Sequence, residues 1–555
     1  MTAAGAPRWA GVTAGVGAGV LAVGVGELVA ALGEALASPV VALADTVIRY
    51  LPPGVKQPAV DLLGQSDKPV FIATIVVVTL ALAGWIGARA MRDRRAGVVG
   101  FSVLALLAAL AAWDDPQLGI AAVVPALAAG AAGLGALHWL LGEVETAAEH
   151  ATAGAGVDPA KVQEAAALLE DGDRGVSEFL AEGERTRSRG TPRRTVLRGA
   201  GWLAVAGIAA GVAGRWLQQR MTVAAERLSL VIPDPAERID LPVPADAHPE
   251  VEGLPPAITP NDRFYRIDTA FSVPQVDPST HEIRVHGMVD RELVIPFAEL
   301  LDRPMIELPV MLSCVSNEVG GDLVDTAVWQ GVLLRDVLDD AGVAADADQL
   351  VGRSVDGWTC GFPVEAAYDR PAMLAVRMNG EPLPPAHGFP VRLVTPGLYG
   401  YVSATKWLSE LELTRFDQFD QYWVRRGWAE RAPIKTQSRI DVPRGDSRVA
   451  AGTVAVAGVA WAPTSGVGRV EVRVDDGPWE EAQLAAPING ISWRQWVYEW
   501  EAEPGRHFLA VRASEEGGET QPEERMPPKP DGATGWHTIS VTVDDDPGES
   551  LGAGS

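Results

Sequence analysis

The sequence predicts a multi-domain protein with about five transmembrane helices, then an α+β domain, then a β-sandwich. Three observations predict this order. Long apolar runs fill the first part of the chain, strand-like and helix-like stretches mix in the middle, and the last part alternates apolar and polar residues. A chain of 555 residues is also too long for one hydrophobic core.

The overall composition excludes several classes of protein. The chain is 47% hydrophobic but only 6% aromatic, which favours membrane helices built from small aliphatic residues. A formal net charge of −26 argues against a nucleic-acid partner, because phosphate binding requires a basic surface. Two cysteines are too few for a disulfide framework or a zinc ribbon.

Residues 1–142 are predicted to form a transmembrane region of four helices. Apolar runs begin at Gly11, Val70, Ala96 and Leu118. Each offers roughly 18 to 25 residues, the length that a helix needs to cross about 30 Å of hydrocarbon. The alternative, a soluble helical bundle, conflicts with the small number of charges in these runs.

Residues 143–192 are polar and are predicted to form a cytoplasmic linker. Residues 193–218 place Arg193 and Arg194 directly before a fifth apolar run, in the stretch "RRTVLRGAGWL". This stretch resembles a twin-arginine export signal at an internal position, which would indicate that a folded, cofactor-loaded domain is exported. Ordinary positive-inside charge is the alternative.

Arginine clusters predict the orientation in the membrane. Four arginines separate the second and third apolar runs, and six precede the fifth: Arg89, Arg92, Arg94 and Arg95, then Arg185, Arg187, Arg189, Arg193, Arg194 and Arg198. Because arginine-rich loops stay in the cytoplasm, we expect a multi-pass protein of the cell membrane with a cytoplasmic N-terminus. Everything beyond about residue 218 is then expected to be extracytoplasmic.

The remainder of the chain is predicted to contain two further domains. Residues 219–260 read as a Pro-rich linker. Residues 261–432 mix strand-like pieces such as "FPVRLVTP" with the helix-like "VLLRDVLDDAG", which indicates an α+β domain. Residues 433–545 alternate as in "RVEVRVDDGPW", which predicts a β-sandwich, and the tail 546–555 is expected to be disordered.

One cysteine lies in a stretch that suggests chemistry. In "MLSCVSNEVGG", Cys314 stands where an apolar strand runs into a Gly-rich loop, a usual place to present a side chain. It could be an inert thiol, a disulfide partner of Cys360, a nucleophile or a metal ligand. A nucleophile needs a base, and none of the four histidines of the predicted α+β domain and its linker lies in a diagnostic motif: His248, His281, His286 and His387.

A second stretch, "RMNGEPLPPAHGFPVRLVTPGLYGYVSATKW", is rich in rigid turns and carries three potential cations. His387, Arg392 and Lys406 would suit an anionic group. Surface charge and routine strand capping are the alternative for each of them alone.

Taken together, these motifs resemble the sulfite oxidase family of molybdenum enzymes. The resemblance rests on Cys314-x-x-Asn317, the HGFPVR motif, the loop that ends at Lys406, and "NDRFYRID" at residues 261–268. It covers roughly residues 255–430. The C-terminal domain resembles the immunoglobulin-like dimerisation domain of the same family.

The resemblance implies a molybdopterin cofactor, with Cys314 as the thiolate ligand of the metal. Oxo transfer to or from a small molecule is the implied reaction. Carried over by position, the cofactor-binding residues are Asn261, Tyr265, Arg266, Asn317, Ser354, Asp356, His387, Arg392, Ser403, Ala404, Thr405 and Lys406. His387 and Arg392 would hold the phosphate end, and the last four would close on the cofactor.

Several departures from the family's pattern point away from sulfite. Glu318 and Val319 stand where sulfite oxidases carry basic residues, Trp358 stands where the active-site tyrosine is expected, and Pro260 replaces a basic residue. We therefore predict a different substrate, with Glu318 and Trp358 joining Cys314 as catalytic candidates. Cys360 is a further candidate for the pocket, and ordinary packing is the alternative for all three.

No haem-domain or iron–sulfur motif is evident, and the membrane region carries one histidine, His138. We expect an external electron partner, such as a cytochrome or a quinone-linked subunit, and a homodimer through the C-terminal domain. The rivals are a sulfite dehydrogenase, a sulfoxide-type reductase, and a cofactor-free membrane binding protein that kept the fold.

Overall fold

A computed structural model describes residues 8–33, 36–50, 67–114, 120–153, 192–220, 227, 229–270 and 273–544. The chain divides into two compact units, Met1–Thr222 and Val223–Ser555. Most of the predicted polar linker, and the predicted disordered tail, lie outside the described residues.

The described part of the first unit is helical. Its α-helices are α1 (Arg8–Ala30), α2 (Pro39–Tyr50), α3 (Asp67–Ala90), α4 (Arg94–Trp113), α5 (Val124–Ala153) and α6 (Pro192–Arg220), with a 3₁₀ turn at Ile120–Val123. Five of them contain segments long and apolar enough to cross a membrane: Trp9–Ala30, Val70–Ala90, Arg94–Trp113, Ile120–Thr146 and Leu197–Gly214. These correspond to the five apolar runs. The short α2 was not predicted, and α5 continues beyond residue 142.

Small side chains pack the helices of this unit closely. Ala14 and Ala18 of α1 are fully buried and share one apolar cluster with Ala83 of α3, Leu140 of α5 and Ala200 of α6. Alanine at these positions lets helix backbones approach, as at helix interfaces within membranes. The same composition that raises hydropathy without aromatic residues therefore also provides the helix contacts.

The first part of the second unit contains two mixed sheets. One has the order β1 (Glu237–Arg238), β4 (Met305–Ser313), β5 (Val324–Leu333), β8 (Met373–Met378) and β10 (Arg392–Val394), with β9 (Glu381–Pro382) beside β8. The other has the order β3 (Leu293–Pro296), β2 (Glu282–Gly287), β11 (Leu408–Thr414), β6 (Gln349–Ser354) and β7 (Phe362–Pro363). Short helices connect them: α7 (Phe297–Leu301), α8 (Leu334–Ala341), α9 (Glu365–Tyr368) and α10 (Gly400–Ser403).

The segment predicted to be a Pro-rich linker begins within α6, but residues 230–260 form no α-helix and pack on the domain. Glu237 and Arg238 add a parallel strand to β4, and Ile232 belongs to the main apolar core. The reason is that apolar residues between the prolines bury against the sheet, and an extended backbone suits pairing at its edge. The domain thus begins before residue 261.

Residues 437–544 form two further sheets that share one core. The first has the order β12 (Gln437–Val442), β14 (Gly452–Trp461), β18 (Arg494–Ala502) and β17 (Gln483–Leu484). The second has the order β13 (Arg448–Ala450), β20 (His537–Asp544), β19 (Gly505–Glu515), β15 (Val467–Val474) and β16 (Trp479–Glu481). Alternating side chains of both sheets meet in a single cluster, as expected of a sandwich. Its immunoglobulin-like character stays a prediction.

The sandwich is attached to strand β4. The Met311 amide donates to the Ile491 carbonyl at 3.0 Å, and Asn489 Nδ2 donates to the Pro309 carbonyl at 3.0 Å. Trp493, fully buried, donates from Nε1 to the Ala257 carbonyl at 2.8 Å. Because β4 leads directly to Cys314, the sandwich helps to fix the strand that presents this thiol.

Candidate active site

Strand β4 delivers Cys314 to the start of a loop. The Cys314 amide donates to the Leu323 carbonyl at 2.9 Å, and Sγ lies 2.9 Å from Ser316 Oγ. Burial raises the pKa of the Cys314 thiol, which Ser316 and Lys406 partly oppose. Both cysteines are free, so the disulfide with Cys360 does not form here.

Asn317 closes this loop with one end of its amide. Its Oδ1 accepts from the Leu323 amide at 2.9 Å. Its Nδ2 is buried and has no partner among the described residues. A buried donor without an acceptor is costly, so a bound group with an acceptor atom would be favoured beside it.

His387 lies in the 3₁₀ turn Pro385–His387 and contacts Asn261. Nε2 is 3.0 Å from the Asn261 carbonyl oxygen, and the ring packs edge-on against Phe264 with centroids 5.6 Å apart. Burial, with Lys406 and Arg392 nearby, lowers the pKa of His387 to about 3. The imidazole is therefore neutral and donates through Nε2, which leaves the buried Nδ1 unpartnered. Whether His387 becomes a cation beside a bound anion stays a prediction.

Arg392, on β10, is a buried cation with spare donors. Nη1 donates to the His387 carbonyl at 3.1 Å, and the guanidinium lies 4.9 Å from the centre of the Trp329 ring. Its Nε has no partner among the described residues. Burial lowers the pKa of Arg392 to about 10, so the side chain remains charged at neutral pH.

Lys406 and Arg266 share one carboxylate. Lys406 Nζ donates to Asp268 Oδ2 at 3.2 Å and to the Ala386 carbonyl at 3.1 Å, while Arg266 Nε donates to the same Asp268 oxygen at 2.8 Å. Burial lowers the pKa of Lys406 to about 8, with Arg392 in the same direction and Asp268 in opposition. Arg392 lies close enough to Lys406 to lower its pKa, but its described bonds go to carbonyl groups and not to Asp268, so positive charge around Lys406 is in excess.

Tyr265 is placed by a carboxylate that the sequence analysis did not single out. Asp325 Oδ2 accepts from the Tyr265 amide at 2.7 Å, and Oδ1 accepts from Thr259 Oγ1 at 2.9 Å. The Tyr265 ring stacks on Phe264 at 5.3 Å. Burial and the nearby Cys314 thiol raise the pKa of Tyr265, so the phenol stays protonated.

Two of the four residues predicted to close on the cofactor, Ser403 and Thr405, direct their hydroxyls into the fold. Ser403 Oγ donates to the Leu398 carbonyl at 3.0 Å, and Thr405 Oγ1 donates to Cys360 Sγ at 3.0 Å. Because both hydroxyls already donate hydrogen bonds within the protein, Ser403, Ala404 and Thr405 would contact a cofactor through their backbone groups. Burial raises the pKa of Cys360 to about 11, and its contacts are those of ordinary packing.

Four predicted residues make no described side-chain hydrogen bond or ion pair to this cluster. Ser354, Asp356 and Trp358 belong to the turn after β6, where Asp356 Oδ1 accepts from the Trp358 amide at 3.0 Å and Ser354 Oγ from the Asp356 amide at 3.4 Å. Glu318 is exposed and lines a cleft of about 240 Å³ with Arg525. No described hydrogen bond or ion pair joins these four side chains to Cys314. The turn itself is bonded beside the site, because the Val355 amide donates to the Trp407 carbonyl at 2.9 Å, and the roles of the four residues stay predictions.

Several contributing residues were missed by sequence reasoning. Asp268 was visible as the acidic end of "NDRFYRID", and an acid among arginines is a signal of pairing. Asn379, in the quoted "RMNGEPL", donates from Nδ2 to Asn261 Oδ1 at 2.8 Å. Asp325 and Trp329 carry no local signal, since only the pairing of β4 with β5 brings them to the site.

The described residues contain no group of three or more His, Cys, Asp or Glu side chains suited to a metal ion. A metal bound at Cys314 would therefore take most of its ligands from a cofactor. The orphaned polar atoms of Asn317, His387 and Arg392, with the excess positive charge at Lys406, fit a polar and anionic group of this kind.

Comparisons with known proteins show what this part of the chain is similar to. Residues 270–423 match a family model described as the oxidoreductase molybdopterin binding domain. Human mitochondrial sulfite oxidase is 30% identical over 366 residues, which cover 56% of this chain and 66% of that protein. Sulfite oxidase of Gallus gallus is 30% identical over 349 residues, covering 53% of this chain and 74% of that protein.

Two further relatives are of different kinds. An uncharacterized oxidoreductase of Bacillus subtilis, YuiH, is 34% identical over 152 residues, covering 27% of this chain and 74% of that protein. Among solved structures, the sulfane dehydrogenase SoxCD of Paracoccus pantotrophus is 22% identical with a TM-score of 0.46, covering 52% of this chain and 84% of that one. The chain thus spans slightly less than two thirds of the human relative and about three quarters of the avian and bacterial ones. It belongs to the sulfite oxidase family of molybdopterin-dependent oxidoreductases.

Proposed function

We propose that this protein is a membrane-anchored, extracytoplasmic oxidoreductase that transfers an oxo group at a molybdenum bound by Cys314. The observation that carries the proposal is the convergence of a free thiol with buried, incompletely paired donors and cations around one site. Arg392, Lys406 and Arg266 would hold the anionic end of the cofactor, and Asn261, Tyr265, His387 and Asn317 would contact its polar edges. The bound cofactor supplies the redox chemistry.

The chain's own residues prepare this site in three ways. The rings of Phe264, Trp329 and Trp407 pack around the cations and keep water from them. Asp268 holds Lys406 and Arg266 in place. An anionic group beside His387 would raise the pKa of the imidazole. Protonation of Nδ1 would then make that atom a hydrogen-bond donor to the anion.

Metal analysis tests the proposal directly. We expect about one molybdenum and one pterin per chain in protein made by a host that synthesises the cofactor. Cys314→Ala should lose the metal, whereas Cys360→Ala, the matched control in the buried second cysteine, should retain it. Wild-type protein without molybdenum or pterin would contradict the enzyme and favour the cofactor-free binding protein.

The substrate is proposed to differ from sulfite, since the acidic Glu318 and the apolar Val319 replace cations beside Cys314. Sulfite itself is the second candidate, and the names of the relatives favour it. Mixing the oxidised protein with sulfite, and the reduced protein with a sulfoxide or an N-oxide, distinguishes them by the absorbance change of the metal centre. Rapid reduction by sulfite would select sulfite dehydrogenase.

The membrane orientation is proposed from the arginines that flank the apolar helices. Reporter fusions after residues 92, 190 and 300 are expected to report inside, inside and outside. An inside signal at 300 would contradict export of the catalytic domain. Replacing Arg193 and Arg194 together by lysine should abolish export if the pair acts as a twin-arginine signal, and leave it unchanged if only positive charge matters.

We further propose an external one-electron partner, a cytochrome or a quinone-linked subunit, and a homodimer through residues 433–545. Reoxidation of the reduced protein by cytochrome c, compared with reoxidation by a soluble quinone, separates the two partners. The mass of the detergent-solubilised protein determines its oligomeric state.

A further inference from the structure

The loop that carries Cys314 is a compact unit closed by its own hydrogen bonds. The Asn317 amide donates to the Cys314 carbonyl at 3.0 Å, and the Gly321 amide donates to the Glu318 carbonyl at 2.9 Å. Leu323 closes the loop through the two bonds to Cys314 and Asn317 described above. Because these bonds tie the two ends of the loop to each other, groups that hold its outer end also constrain where the thiol lies.

One of those groups is a buried arginine of the sandwich. Arg439, on β12, donates from Nη1 to the Gly321 carbonyl at 2.7 Å and from Nε to Asp441 Oδ1 at 2.8 Å. Only 7% of this residue is exposed. A charged donor fixed by its own carboxylate and shielded from water forms a strong and well-localised bond.

The other group is a histidine from the opposite sheet of the sandwich. His537, at the start of β20, packs its ring against Gly320 so closely that a Cβ at Gly320 would overlap the imidazole. The ring is held in place because Nδ1 accepts from the Ile440 amide at 3.0 Å. The two sheets of the sandwich therefore contact two adjacent residues of the loop: Arg439 binds Gly321, and His537 packs against Gly320.

From these contacts we infer that Arg439 and His537 are positioning residues for Cys314. The sandwich then sets the location of the metal-binding thiolate, in addition to the dimerisation expected of it. This inference rests on the proposed function, in which Cys314 binds molybdenum. A ligand loop needs support of this kind, because a metal ligand misplaced by a fraction of an ångström binds poorly.

The first arm of the test needs no cofactor. The full chain in detergent, with Cys360→Ser to leave one thiol, is treated with iodoacetamide after production in a host that lacks the cofactor. Arg439→Gln and His537→Gln should each increase the alkylation rate of Cys314 by about threefold or more, since a released loop opens locally. Arg448→Gln and His507→Gln, matched controls in the same sandwich, should leave the rate unchanged.

The second arm uses the loaded protein. Arg439→Gln should shift the electron paramagnetic resonance spectrum of the partly reduced molybdenum, because that signal depends on the orientation of the ligating sulfur. Arg439→Lys, which retains one charged donor, should restore the spectrum part of the way. Arg448→Gln should leave it unchanged.

The two arms separate the possible failures. Unchanged alkylation rates in both Arg439→Gln and His537→Gln would overturn the positioning role and leave these contacts as domain packing. Absence of molybdenum from the wild type would overturn the proposed function, while the alkylation arm would still decide the inference. If Arg439→Gln does not fold, the milder His537→Gln carries the decision.

Discussion

Lys406 Nζ lies 3.2 Å from Asp268 Oδ2, and both side chains are almost wholly buried. The carboxylate also accepts from Arg266, so it neutralises only part of the charge around it. A buried cation that is incompletely compensated has a lowered pKa and favours the arrival of an anion. The incomplete compensation of Lys406 by Asp268 therefore predicts that the site binds anions and that this binding depends on pH.

The first prediction is that retention of the anionic cofactor falls as the pH rises above about 8. Burial lowers the pKa of Lys406 to about 8, and a bound anion raises it again. Between these two pKa values, binding takes up a proton, so affinity drops by up to about tenfold per pH unit. The measurement is the fraction of pterin released from loaded protein after equal incubation from pH 7 to pH 10.

Lys406→Arg provides the control for this profile, because arginine keeps its charge throughout the range. The variant should move the loss of pterin to higher pH, whereas Lys435→Arg, at a lysine paired with Asp531, should leave it unchanged. Identical profiles for the wild type and Lys406→Arg would show that another group controls release.

The second prediction concerns Arg392, a buried cation with one orphaned donor. Arg392→Met should leave the cofactor-free protein as stable as before, or more stable by about 1–2 kcal/mol, since an apolar side chain removes a desolvated charge. The same variant should lose most of its pterin. Thermal unfolding of the cofactor-free protein and pterin content of the loaded protein are the two measurements.

A loss of stability in Arg392→Met would mean that the guanidinium is needed mainly for packing against Trp329. Arg370→Met serves as the comparison, because Arg370 is paired with Asp369 and lies outside the site. It should retain its pterin.

The sequence predicted the parts of this protein that depend on local pattern. The five apolar runs became helices because length and composition suffice for that outcome. Cys314, Asn261, His387, Arg392 and Lys406 were identified through motifs, and the structure brings them into one region. Local pattern did not reveal that His387 is neutral, because its pKa depends on cations that are near only after folding.

Residues that reach the site only through strand pairing or domain packing were not predicted from the sequence. Asp325 reaches Tyr265 only because β5 pairs with β4, and Arg439 reaches Gly321 across 118 positions of sequence. Trp358 was selected by a positional match alone. The described hydrogen bonds of its turn join it to Ser354 and Asp356, so its catalytic role stays a prediction.

The third prediction concerns Asp325, whose pKa burial raises to about 6. A carboxyl whose folded-state pKa is raised contributes stability that is fully present below its unfolded pKa of about 3.9 and is lost as the pH rises through about 6. Asp325→Asn, which resembles the protonated acid, removes this dependence. The advantage of the wild type over Asp325→Asn in melting temperature should therefore shrink between pH 4 and pH 7.

The dependence should be absent from Asp336→Asn, a control at an exposed aspartate of α8. A wild-type advantage that grows with pH would mean that the hydrogen bonds from Tyr265 and Thr259 outweigh the desolvation of Asp325.

The fourth prediction separates backbone strain from contact at the Cys314 loop. Gly320 and Gly357 have nearly the same positive φ, +81° and +79°. A Cβ at Gly320 would overlap the His537 ring, whereas a Cβ at Gly357 would enter space that the described residues leave open. Alanine at either position costs about 1–2 kcal/mol for a left-handed backbone. Gly320→Ala should cost about 1–3 kcal/mol more, for the displacement of the imidazole.

The two variants should also differ in metal content. Gly320→Ala pushes the loop away from the sandwich and should lower the molybdenum per chain, while Gly357→Ala should keep the wild-type content at equal expression. Gly320→Ala combined with His537→Ala removes the overlapping ring, so the double variant should recover part of the lost stability without restoring the bond geometry of the loop. Equal costs for the two single variants would show that the ring yields freely and that the sandwich does not constrain Cys314 at this point.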